Sequence, residues 1–109
     1  MKALRKDPDI NATDIILKQA ESDASPRVRN AAFKTLMQRP LTNEATQRIN
    51  TLLQQETDDD VRITSLYTAL YANSNKQELS QIIDEILSQD ISDKLRNETL
   101  KIQDYLQSY

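Results

Sequence analysis

Apolar residues along the chain recur every three or four positions and are broken by short polar stretches, the pattern of helices that each bury one face. The first such stretch gathers Ile15, Ile16, Leu17 and Ala20 after Pro8, with Asn11 or Thr13 as the expected cap. A second opens at Ser25-Pro26, a capping serine before a proline at the first helical position, and carries Val28, Ala31, Ala32, Phe33, Leu36 and Met37 to Pro40. A third follows Asn43, read as its cap, with Ile49, Leu52 and Leu53 on one side. The acidic run Asp58, Asp59, Asp60 then leads into Val61, Leu66, Ala69 and Leu70, ended by Asn73-Ser74-Asn75. Ser74 with Gln77, or Asn75 with Glu78, fits a capping box ahead of Leu79, Ile82, Ile83, Ile86 and Leu87. Ser92 opens the last stretch, with Leu95, Ile102 and Leu106 spaced for one face. Six helices in three pairs are predicted, joined by turns of about two to six residues.

The pairs repeat. Asp23 precedes Arg29, Glu56 precedes Arg62 and Asp90 precedes Arg96 by the same interval, and each arginine follows an aliphatic residue, Val28, Val61 or Leu95. An offset of 33 carries Ile16 onto Ile49 and Phe33 onto Leu66, and 34 carries Val61 onto Leu95 and Leu66 onto Leu100. Self-similarity at this period on two separate faces marks a stack of supersecondary units. The predicted fold is therefore all-α, an α/α superhelix (solenoid) in one domain over 1–109, with units at about 9–40, 41–73 and 74–109.

The segment from Asp23 to Leu36, with its acid, its Val28-Arg29 pair and its small residues Ala31 and Ala32, resembles the inter-helix turn and second helix of a HEAT repeat. Asp58 to Arg62 and Asp93 to Arg96 are weaker copies. The resemblance implies a solenoid of three HEAT-like antiparallel pairs whose second helices line a concave surface. It also implies a ladder between adjacent repeats built from Asp23, Glu56 and Asp90 with Arg29, Arg62 and Arg96. Two departures carry expectations. The family's proline is missing from the first helices, which should make them straighter. Glu98 and Thr99 stand where the first unit has Ala31 and Ala32 and are followed by Gln103 and Asp104, so the third unit is expected to turn one face to water as a cap. Ile10, Ile15 and Ile16 are expected to be partly exposed at the other end.

Composition narrows the chemistry. Glycine is absent, against about 7% in an average protein, so phosphate-cradling loops and tight hairpins have little to build on. Histidine and cysteine are absent as well, which removes imidazole bases, thiolate nucleophiles, disulfides and N/S zinc sites, and leaves the redox compartment open. No apolar run approaches the ~20 residues of a membrane span. Net charge is -3 but divided: residues 1–48 hold nine Lys/Arg against six Asp/Glu, and residues 49–109 hold five against eleven. An acidic second half and a dilute basic first half make nucleic acid a poor partner.

The candidate sites follow from helix geometry. At about 100° per residue from Val61, the core positions of that helix fall between about 40° and 180°, and Tyr67 and Tyr71 fall near 240° and 280°. Both tyrosines are therefore expected to face away from the core. Lys34 and Lys101 are equivalent to Tyr67, and Tyr105 to Tyr71, so a Tyr/Lys strip along the second helices is the candidate partner-binding surface. The ladder arginines are read as structural, since guanidinium and carboxylate pair in a fixed fork. Asp58 to Asp60 lack the spacing, glycine and distal glutamate of a calcium loop and are read as a solvated helix start. Adjacent carboxylates such as Asp84 and Glu85 diverge on a helix, and no nucleophile-base constellation is present. The expected function is a non-catalytic protein-protein interaction or scaffolding module with no cofactor. The alternatives are a regulatory domain of a larger, membrane-anchored bacterial protein, and an enzyme on a HEAT-like fold, of DNA glycosylase or bilin lyase type.

Overall fold

The computed structural model describes residues 10–72 and 75–108. All regular structure among them is helical: α1 (Ile10–Ser22), α2 (Pro26–Met37), α3 (Asn43–Gln55), α4 (Asp59–Ala72), α5 (Lys76–Leu87) and α6 (Asp93–Gln107). Each visible start has a local cause. Ser25, Thr42, Asn75 and Ser92 are extended residues whose side chains accept the backbone N–H three positions on, and the Asp58 carboxylate accepts from the Val61 N–H at 3.1 Å. Such caps satisfy donors that would otherwise be orphaned. Two details differ from the sequence reading. Asn11 and Thr13 lie inside α1. Thr42, one residue earlier than expected, caps α3. Asn75 caps α5 as expected, accepting from the Glu78 N–H at 3.1 Å, and the Glu78 carboxylate also accepts from Gln47 and Asn50 of α3 at 3.4 and 3.3 Å. The predicted break at Asn73 and Ser74, and the side chains of Ile10 and Asn11, lie outside the described residues.

The helices pack as α1 on α2, α3 on α4 and α5 on α6, with α2, α4 and α6 in successive contact and α1, α3 and α5 likewise. The thinnest dimension is 17 Å, close to two helix layers whose axes lie about 8–10 Å apart. One continuous core runs between the layers, built on Leu17, Phe33, Leu36, Ile49, Leu53, Leu66, Ile83, Leu95 and Ile102.

Polar residues inside this core are satisfied by hydrogen bonds within and across helices, as burial demands. The Thr68 hydroxyl lies 3.1 Å from the Phe33 carbonyl of α2 and 2.8 Å from its own Thr64 carbonyl. Thr46 of α3 reaches back to Thr42 and across to Ala72 at the end of α4. Thr99 is fully buried and donates to Leu95. Thr99 is thus turned inward and Glu98 meets Tyr67 of α4, while the water-facing side of α6 carries Asn97, Leu100 and Asp104.

The turns within the helix pairs differ in length. The α1–α2 and α3–α4 turns have three residues, Asp23 to Ser25 and Glu56 to Asp58, whereas the α5–α6 turn runs from Ser88 to Ser92. The longer turn tucks Ile91 against the core. It also moves the residue equivalent to Glu56 from Asp90 to Gln89.

Candidate functional site

Two side-chain systems stand out on the helix scaffold, the arginine ladder and a cleft on the tyrosine side. In the ladder, Arg29 of α2 forks onto Glu56, the residue that follows α3, with Nε to Oε1 at 3.1 Å and Nη2 to Oε2 at 3.0 Å. Its Nη1 donates to the Asp23 carbonyl at 2.8 Å, and the Glu56 partner raises the arginine's pKa. The same interval of 27 residues joins Arg62 of α4 to Gln89, Nη2 to Oε1 at 3.1 Å. An amide offers one acceptor oxygen where a carboxylate offers two, and the buried Nε of Arg62 is left without a partner. Asp23 uses its carboxylate on the Ser25 N–H at 2.9 Å. Asp90 is exposed and outside the ladder. Among the described residues Arg96, the third arginine, has no side-chain partner.

The cleft has a volume of about 590 Å³. Its floor is aliphatic, from Leu70 of α4, Leu79 of α5, and Ile102 and Leu106 of α6, with Tyr67, Tyr71 and Tyr105 as walls and Lys76 and Lys101 at the rim. The fold thus brings together Tyr67, Tyr71, Tyr105 and Lys101 of the sequence-derived strip. Lys34 is exposed on α2 and does not line the cleft.

The tyrosines are not equivalent. Tyr71 keeps 71% of its surface exposed, and Tyr105 is also exposed. Tyr67 is half-buried against the core, and its hydroxyl donates to Glu98 Oε1 at 2.7 Å. That bond to a carboxylate, then burial and the glutamate's charge, push the phenol pKa up to about 12. Reciprocally, the Tyr67 hydrogen bond, opposed by burial and aided by Lys101, holds the Glu98 carboxyl below its ordinary value. Lys101 Nζ sits 3.3 Å from the other oxygen of Glu98. Glu98 therefore fixes one wall and one rim cation of the cleft.

Sequence reasoning missed Glu98, Lys76 and the aliphatic floor. No local signal pointed to Glu98, whose place beside Tyr67 depends on the approach of α6 to α4. Lys76 and Leu79 join only because the start of α5 passes beside the end of α4. No protein-family profile matches the chain, and comparisons with curated proteins and with solved structures find no significant match.

Proposed function

We infer that the chain is a HEAT-like α-solenoid acting as a non-catalytic protein-binding module, with the tyrosine-walled cleft as its docking site. The solenoid reading is supported by the equal interval of the Arg29–Glu56 and Arg62–Gln89 contacts, since repeated spacing of one cross-pair contact is what stacked equivalent units produce. The binding reading rests on one observation above others: two exposed tyrosines, Tyr71 and Tyr105, flank an apolar floor open to solvent. Tyrosine gives large, stiff contact area at low entropic cost and is enriched at interface centres. Lysines at the rim favour a partner segment carrying an apolar anchor next to acidic residues.

The test is a peptide screen in which acidic peptides bearing one Leu or Phe are titrated against the wild type and against Tyr71→Ala/Tyr105→Ala. The expected result is saturable binding to the wild type, weakened at least tenfold by the double substitution with the melting temperature unchanged. Binding that survives both truncations undiminished refutes the assignment of this cleft. On the larger, membrane-anchored alternative, no helix among the described residues is long and apolar enough to cross a membrane, so an anchor would have to lie elsewhere.

A further inference from the structure

We propose that the protein stacks head to tail on a second copy of itself, the α6 end of one copy docking against the α2 end of the next. Equivalent positions differ in burial according to whether a neighbouring pair covers them. On the α2 side, Val28 keeps 38% of its surface exposed while its equivalent on α4, Val61, keeps 1%, and Leu95 of α6 is buried too. Thr35 is exposed, whereas its equivalents Thr68 and Ile102 are buried. At the other end the pattern is mirrored: Leu100 is 43% exposed where Leu66 is 0% exposed and Phe33 buried. The two ends are thus the two halves of the contact that joins pair to pair inside the molecule.

The polar residues complete the match. Arg96 occupies the position from which Arg29 reaches Glu56 and Arg62 reaches Gln89. In the following copy, the residue at the Glu56 position is Asp23, whose carboxylate already sits at the matching turn through its bond to the Ser25 N–H. Arg96 of one copy with Asp23 of the next is the third rung. The Arg96–Asp23 rung is itself complementary in charge. Such a contact is heterologous and does not close at two subunits.

The inference rests on the repeat register and not on the tyrosine cleft, so the two are tested apart. The mass of the intact chain is followed by sedimentation velocity and light scattering from about 10 µM to about 1 mM, where even a weak contact is half occupied. The expected result is at least a doubling of weight-average mass without a plateau at two chains, reduced at high salt. Val28→Asp and Leu100→Asp each alter an exposed position and should fold normally by circular dichroism. Each alone should be monomeric, and their equimolar mixture should form a dimer and nothing larger, since each retains one competent end. A wild type that stays monomeric throughout, a plateau at two chains, or a mixture that stays monomeric would overturn the proposal. Tyr71→Ala should leave the association unchanged.

Discussion

Gln89→Glu should stabilise the protein, because the second rung of the ladder lacks an acceptor that the first rung has. Arg29 meets two carboxylate oxygens of Glu56, whereas Arg62 meets one amide oxygen of Gln89 and keeps a buried Nε without a partner. Supplying that acceptor replaces an orphaned donor by a charge-assisted hydrogen bond, a change of about 1.5–3 kcal/mol in a buried setting. Two effects reduce it. Gln89 is exposed, where ion pairs are typically worth about 0–1 kcal/mol. The new charge also lies just beyond the end of α5, at a cost of about 0.3–1 kcal/mol from the helix dipole. Glu56 holds the same place after α3 and still pairs at 3.0 Å, so the dipole cost does not prevent the fork from forming. The net expectation is a gain of about 1 kcal/mol, a rise of about 4 °C in Tm for a domain of this size. The assay is thermal and urea unfolding followed at 222 nm for the wild type and Gln89→Glu, and for each in an Arg62→Met background. The gain should be confined to proteins that retain Arg62. An unchanged or lowered Tm, or an equal rise without Arg62, would refute the reasoning.

Three further predictions concern the cleft, the core and the helix starts. Tyr67→Phe should cost about 1 kcal/mol through loss of the bond to Glu98. The folded-state carboxyl is lowered from 4.5, so its contribution is present above the ordinary glutamate range and lost as pH falls through the lowered value. The phenol is raised from 10.0 to about 12, so its contribution is present below pH 10 and lost as pH climbs towards 12. The gap between wild type and variant should therefore be widest between about pH 5 and pH 10, and a tyrosinate titration at 295 nm should show one late-ionising ring that the variant lacks. A gap independent of pH would contradict the coupling. Leu66→Ala, at a fully buried position, should cost about 2–5 kcal/mol in urea unfolding. Leu100→Ala, its exposed equivalent, should change stability by less than about 0.5 kcal/mol. Ser92→Ala should cost about 1 kcal/mol by removing the acceptor of the Leu95 N–H, and a loss in the range of Leu66→Ala would show that Ser92 does more than cap α6.

The number, order and apolar faces of the helices were legible in the residues alone, because each depends on local rules: a period near 3.6, Ser, Thr, Asn or Asp caps, and a proline where a helix must stop. So was the equivalence of Arg29 and Arg62. Counting back a fixed interval from Arg96 gave Asp90, however, and the fold uses Gln89, since the α5–α6 turn has five residues where the other two pairs have three. Helical angles put Tyr71 on the open side, yet left Tyr67 there too, although it lies half-buried with its hydroxyl on Glu98. That contact belongs to the approach of α4 to α6, and angles measured on one helix carry no information about the other. The cleft floor is the same case on a larger scale. Leu70, Leu79, Ile102 and Leu106 read as ordinary core residues, and only the passage of α5 beside the ends of α4 and α6 leaves a gap above them. Periodicity fixes which side of a helix is apolar, while the distance and register between helices, set by side-chain volume and the lengths of two turns, decide whether that side is sealed or left as a site.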